Sequence, residues 1–191
     1  MAVSELDHLD AILLSSFQRF GTIPGKKALQ KQVYFLKESG LDINFEFQWD
    51  RFGPYSPELA TYIEDLVAEG LMESEERKVL MTFPEDRGVQ YYFRLRNRAN
   101  DLLSSEVLTA GEKAKIDRVI KLIQEIGPLN LELYATVHYV VKFFSTKSER
   151  ARMPEGLFDL VSDYKPDRFR EEQVKAAYYN LRKLGWLSPS Q

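Results

Sequence analysis

The sequence predicts an α+β protein that is mainly α, with a small β-hairpin or three-stranded sheet. Three observations predict it. Apolar residues recur at three- and four-residue spacing over most of the chain, as helices require. One stretch, INFEFQW at 43–49, instead alternates apolar and polar residues. Two β-rich runs, VLMTF and VQYYFRL, flank a polar five-residue loop containing Pro84 and Gly88, which predicts a hairpin over 79–95.

The elements follow in order. Ser4 with Asp7 three residues on is a capping-box variant, and Leu6, Leu9, Leu13, Phe17 and Phe20 mark the first helix, ended by Gly21. A second helix starts after Pro24-Gly25, buries Leu29, Val33 and Leu36, and stops at Gly40. The strand at 43–49 has one buried and one wet face, and Gly53-Pro54 is the turn expected to end it. Ser56 can cap the next helix, Pro57 suits its first position, and Glu58 suits its positive end. Leu59, Ile63, Leu66 and Val67 then supply an apolar stripe up to Gly70. Helix, helix, strand, helix, hairpin is the order of a winged helix. The helix at 57–69 takes the recognition position and the hairpin takes the place of the wing.

A boundary is expected near 104–110, giving a winged-helix-like domain over 1–105 and a helical domain over 106–191. So short a boundary is no free linker, so the two are expected to pack together. Thr109 and Glu112 form a capping box. Ile116, Val119, Ile120 and Ile123 mark the helix after it, broken by Gly127-Pro128. LNLELYATVHYVVKFF, GLFDLVSDY and REEQVKAAYYNLRKLGWL are three further helical stretches, with the polar STKSERARMPE as a loop. YIEDLVAEGL and AYYNLRKLGWL end alike, as do LQKQVYFL and LYATVHYV in pattern, which hints at a second helix-turn-helix-like unit without a wing.

Composition narrows the function. With 44% hydrophobic and 13% aromatic residues, the 191-residue chain can bury a real core. Its net charge of −3 makes the whole molecule no generic polyanion binder. Residues 1–105 carry 12 Lys+Arg against 17 Asp+Glu, and residues 106–191 carry 14 against 12. An anionic partner therefore fits the second half better. The chain has no cysteine, which excludes disulfides, thiolate catalysis and cysteine-ligated metal. The acidic start MAVSELDHLD has no basic-then-apolar leader and no apolar run reaches the roughly 18 residues of a membrane span. A cytoplasmic protein is expected.

KKALQKQVYFLKESG, FEFQWDRFGPYSPEL and LVAEGLM, with LELYATVHYVVKFF and VKAAYYNLRKLGWL later, resemble the YwgA-like family of bacterial and archaeal proteins. More distantly the chain is similar to the Panacea domain typified by the SocA antitoxin. The second likeness implies a protein partner, a toxin or nuclease-like protein among the candidates, and no enzymatic chemistry.

The residues themselves favour the same direction. From Pro57 to Gly70 the helix in the recognition position holds Glu58, Glu64, Asp65 and Glu69 and no Lys or Arg. Reading bases amid phosphates needs basic or amide groups there. Arg51, Tyr55, Glu58, Glu64 and Asp65 are therefore the candidate protein-binding residues, although the corner DRFGPYSPEL is explained better by its role as a strand-to-helix joint. The alternative is a nucleic-acid-binding regulator. It would use Arg94, Arg96 and Arg98, on one face if the strand continues, with Lys142, Lys147, Arg150 and Arg152. The plainer account of both groups is solvated basic residues paired with the acidic first half.

No enzymatic constellation emerges, and the sequence predicts no enzyme, metal or cofactor. GTIPGKK has neither the spacing, the following Ser or Thr, nor the preceding strand of a phosphate loop. Asp7, His8 and Asp10 could touch one ion only weakly. His138 on an apolar helix is expected as a hydrogen-bonded core residue, and no GxSxG elbow is present. Tyr91, Tyr92, Tyr178 and Tyr179 are expected in the core or at its rim.

Overall fold

The computed structural model describes residues 6–50, 52–78, 89–103, 108–144 and 154–187. The protein is α+β, mainly helical, with one three-stranded and one two-stranded antiparallel sheet among these residues. The chain divides into two compact units. Unit 1 is Met1–Glu46 with Ser56–Lys121, and unit 2 is Phe47–Tyr55 with Leu122–Gln191.

Unit 1 begins with α1 (His8–Phe20), capped by Asp7, whose side chain accepts the Asp10 N–H at 2.7 Å. The cap is thus Asp7 itself; Ser4, the other half of the expected box, lies outside the described residues. Strand β1 is the dipeptide Ile23–Pro24, and α2 is Gly25–Glu38. Residues 29–36 of α2 are all buried, so this helix has no wet face over two turns. Helix α3 (Pro57–Ala68) has the expected anatomy. Ser56 Oγ accepts the Leu59 N–H, and Pro57 stands in the first turn, where a missing N–H costs nothing. Leu59, Ile63 and Leu66 are buried, worth roughly 1.5–3 kcal/mol each against exposure.

The sheet of unit 1 runs β1-β5-β4, with β4 (Met72–Lys78) and β5 (Val89–Leu95) paired from Met72↔Leu95 to Lys78↔Val89. The hairpin is present, but its described first strand is Met72–Lys78. The run VLMTF expected for that strand lies outside the described residues. Strand β5 stops at Leu95, and α4 (Asn97–Leu102) follows at once. The helix α5 (Ala110–Ile126) begins with the expected capping box. Thr109 N and Oγ1 both donate to Glu112, and Glu112 N donates to Thr109 Oγ1 at 3.2 Å. Its first half joins unit 1 through His8 to Glu112 at 2.7 Å, Lys115 to the Gly40 carbonyl at 2.6 Å, and Arg19 to Asp117.

Unit 2 holds the two-stranded ribbon β2 (Gln48–Asp50) and β3 (Gly53–Tyr55). The ladder expected over 43–49 is therefore restricted to its last residues. Ile43 and Phe45 are buried and Asn44 and Glu46 exposed, so the alternation is real, but Ile43–Phe47 makes no ladder among the described residues. Gly53-Pro54 does not end the strand. It forms the returning strand, with Gly53 at φ 86. The ribbon packs on α6 (Leu131–Phe144), whose residues 133–141 are all buried. Trp49 meets the Tyr139 ring at 5.7 Å, and the Tyr139 hydroxyl points at the Phe47 carbonyl at 3.5 Å. His138 is a core residue, its Nε2 3.1 Å from the Trp186 carbonyl. Helices α7 (Pro154–Tyr164) and α8 (Glu171–Lys183) complete the unit, and α6, α7 and α8 pack against one another.

The internal echo has a geometric counterpart. Helix α3 closes with Leu71 N to Leu66 O at 2.9 Å, and Gly70 at φ 71. Helix α8 closes with Trp186 N to Leu181 O at 2.8 Å, and Gly185 at φ 71. Only glycine adopts such a φ freely, so each helix ends where the sequence places it.

Candidate functional site

Helix α3 places Glu58, Tyr62, Asp65 and Glu69 at intervals of four, three and four residues, which puts them along one side. Glu58, Asp65 and Glu69 are exposed and Tyr62 is half-buried. Glu64 is also exposed but lies ~100° round the helix from Asp65, and it faces Lys26 Nζ at 3.6 Å. An ion pair this exposed contributes about 0–1 kcal/mol and is weakened by salt.

The acidic side extends beyond α3. The Tyr62 hydroxyl donates to Asp10 Oδ1 at 2.7 Å, and its ring meets Phe45 at 5.6 Å. Burial pushes this phenol well above the ordinary tyrosine value, reinforced by the Asp10 hydrogen bond and by the charges of Asp10, Asp7 and Glu69. Tyr62 therefore stays a protonated donor, and carboxylates from α1 and α3 converge around it. Asp7, Asp10, Tyr62 and Glu69 were missing from the sequence-based set. Only the helical spacing of Glu58 and Glu69 offered a signal.

The start of α3 is held by a side chain from α2. Gln30 Nε2 donates to the Ser56 carbonyl at 2.9 Å, and Ser56 N–H donates to Gln30 Oε1 at 2.9 Å. Both residues are buried. Glu58 Oε2 accepts the Glu46 N–H at 3.1 Å, and Lys37 donates to the Phe45 carbonyl at 2.6 Å. Chain segments on both sides of the ribbon are thus tied into unit 1.

The other expected residues are dispersed. Arg51 lies outside the described residues. Tyr55 ends β3, pairs with Gln48, is half-buried and belongs to unit 2, whereas Glu58, Glu64 and Asp65 belong to unit 1. The structure corrects the arginine stripe. Arg94 and Arg96 both reach Glu73, Arg96 at 3.8 Å, while Arg98 sits in α4 and donates to the Glu69 carbonyl at the end of α3 at 3.2 Å. Next to them Arg77 forks onto Glu75 at 2.9 and 2.7 Å and lies 4.6 Å from the Tyr92 ring centroid. That fork holds the Glu75 carboxyl below its usual range and the Arg77 guanidinium above. Lys142 is exposed at the end of α6, 5.4 Å from the Phe143 ring centroid. Lys147, Arg150 and Arg152 lie outside the described residues.

Asp7, His8 and Asp10, expected to touch an ion only weakly, each have another partner. Asp7 caps α1, Asp10 takes Tyr62, and His8 takes Glu112. Among the described residues no three His, Asp or Glu side chains are grouped to hold a metal ion. Likewise no described helix is long and apolar enough to cross a membrane.

No family model matches the chain. Over 191 residues, 95% of this chain, it is 28% identical to a DNA ADP-ribosyl glycohydrolase of Thermus aquaticus, covering 48% of that protein. Over 116 residues, 59% of this chain, it is 28% identical to a DNA ADP-ribosyl glycohydrolase of Mycobacterium tuberculosis, covering 32% of it. Over 68 residues, 36% of this chain, it is 34% identical to the uncharacterized protein YwgA of Bacillus subtilis, covering 41% of it. The chain spans about half or less of the length of these curated relatives. The likeness to YwgA is supported to that extent. The expectation that the protein is not an enzyme is overturned, because relatives matching up to 95% of the chain bear an enzyme's name. That expectation had leaned on the lack of a familiar catalytic spacing in one sequence.

Proposed function

We propose that the protein is an antitoxin-like interaction and regulatory module that docks a basic protein partner on the acidic side of α3. One observation carries this reading: Glu58, Asp65 and Glu69 line an exposed helix side that continues to Asp7 and Asp10 and carries no Lys or Arg from Pro57 to Gly70. Such a side repels phosphates and steers cationic surfaces toward it. Unit 1 runs α1-β1-α2-α3-β4-β5, and this order supports reading it as winged-helix-like, with α3 taken as the counterpart of a recognition helix. Its chemistry there suits a protein. The more distant likeness to the SocA-type domain points to a toxin or nuclease-like protein as that partner. The nucleic-acid alternative through Arg94, Arg96 and Arg98 is weakened by their engagement with Glu73 and the Glu69 carbonyl. Triple reversal of Glu58, Asp65 and Glu69 to lysine is expected to weaken capture of the native co-purifying partner by about tenfold or more, with an unchanged circular dichroism spectrum. Undiminished capture would remove α3 from the site.

A second reading rests on the relatives' name and on the 95% of this chain that one of them matches. In it the chain takes part in removing ADP-ribose from DNA. Incubation with an ADP-ribosylated oligonucleotide then yields free ADP-ribose in proportion to protein and time. A flat time course, with a glycohydrolase relative active in parallel, would refute it for the chain alone.

A further inference from the structure

The geometry points to a second interaction surface: the exposed side of α8 in unit 2, which we infer to be a binding face for duplex DNA. It is independent of the α3 reading, since it uses other residues and opposite charge.

The frame comes first. Helices α6, α7 and α8 pack pairwise, and residues 165–170 join α7 to α8. That joint is held in place. Glu132 on α6 accepts Lys165 Nζ at 3.0 Å and Arg168 at 2.9 and 3.3 Å, and Asp167 takes the left-handed conformation at φ 58. Helix α8 buries Val174, Ala177, Tyr178 and Leu181. Its opposite side is left exposed, as in the second helix of a helix-turn-helix.

The exposed side has the chemistry α3 lacks. Gln173, Ala176, Tyr179, Asn180, Arg182 and Lys183 are all exposed, and no carboxylate occurs from Gln173 to Lys183. The acidic residues of α8 are confined to its first turn, where Glu171 is tied to Lys175 at 2.8 Å and Glu172 stands exposed at the N-terminal end of the side that holds Ala176, Tyr179 and Lys183. Tyr179 is 57% exposed, so an aromatic ring stands in water beside two cations. Ala176 at the centre lets a second backbone approach closely. Asn180 Nδ2 is spent on the Tyr134 hydroxyl at 2.8 Å, so the donors for phosphate and sugar oxygens are Arg182, Lys183 and the Tyr179 hydroxyl. A single convex helix side suits a groove ~12 Å wide. Helices α3 and α8 thus close with the same hydrogen bonds yet present opposite charge.

Fluorescence anisotropy of the full chain with a labelled 20-base-pair duplex, between 25 and 200 mM salt, tests this. Binding at low salt that falls steeply as salt rises is expected. Tyr179→Ala with Lys183→Glu should weaken it about tenfold or more and flatten the salt dependence. Arg94→Ala with Arg96→Ala should leave it unchanged. No binding at low salt overturns the inference. So does binding abolished by the Arg94 and Arg96 changes but indifferent to α8. If the α8 variant loses retention of poly-L-glutamate while duplex binding persists, the face serves an acidic polypeptide and the inference is wrong. Partner capture through α3 is unaffected by the α8 variant in every case, so the two proposals fail separately.

Discussion

Glu132→Ala is expected to lower the stability of unit 2 by about 3–5 kcal/mol, because it takes a carboxylate away from a buried ammonium. The Lys165 side chain is only 2% exposed and that of Glu132 is 13% exposed. Around Lys165 Nζ stand the rings of Trp49 at 5.8 Å and Phe169 at 5.6 Å. These faces attract a cation, but they cannot replace a carboxylate. Denaturant unfolding measures the loss, and Glu132→Leu combined with Lys165→Met should recover most of it, since the apolar pair removes the buried charges and Arg168, which also loses Glu132, is half exposed to water. A loss below about 1 kcal/mol would mean the lysine finds other compensation. The pair also sets a pH dependence. Burial is the largest single influence on the Glu132 carboxyl and raises it. The hydrogen bond from Arg168, with the charge and hydrogen bond of Lys165, outweighs burial and holds the group below its usual range. A carboxyl depressed on folding stabilises fully above its unfolded value, about 4.3. That contribution disappears as pH falls through the lower, folded-state value. Wild type should therefore lose stability on acidification in a step that Glu132→Leu/Lys165→Met lacks.

Gln30→Ala is expected to cost about 2–4 kcal/mol and to loosen the start of α3. Its side-chain amide satisfies the Ser56 N–H and carbonyl together, in a place where Ser56 is 0% exposed and water cannot substitute. The carbonyl keeps its helical partner, Ala60 N at 3.2 Å, so the unpaired N–H bears most of the penalty. Hydrogen exchange should show the amides of Ser56, Leu59 and Ala60 opening sooner, while those of β5 keep their protection. Gln30→Glu retains an acceptor for the N–H but loses the donor and buries a charge, and should be no better than alanine. Because Ser56 begins the acidic helix, the proposed docking on α3 predicts that Gln30→Ala also weakens partner capture without changing a residue of that side.

The sequence and the fold agree most closely where local rules act alone. Ser56, Pro57 and Gly70 bound α3 as their backbone preferences require, and Thr109 with Glu112 opens α5 as a capping box. Agreement fails where partners are distant in the chain. Gln30 and Ser56 are 26 positions apart, and Glu132 and Lys165 are 33 apart. No spacing rule links such pairs. Strand β4 escaped notice because Glu73, Ser74, Glu75, Glu76 and Arg77 do not alternate with apolar residues, and the ladder to β5 holds them extended. Arg94, Arg96 and Arg98 would share a face if the strand continued, but β5 ends at Leu95 and the backbone turns helical at Asn97. Of the proposed docking side, Glu58 and Asp65 were legible from charge. Asp7 and Asp10 were not, since only tertiary packing of α1 brings them to Tyr62.

The ribbon Phe47–Tyr55 is counted with residues 122–191 although unit 1 claims the chain on either side of it. On the ribosome this ribbon leaves the exit tunnel some seventy-five residues before α6 exists to receive it. During that interval Trp49 has no aromatic seat, and α3 must form with an unanchored lead. Nor does any single cut separate the units into two contiguous fragments. A fragment ending at Lys121 retains a ribbon without its helix, and the complementary fragment presents Tyr139 and Lys165 to water where Trp49 should stand.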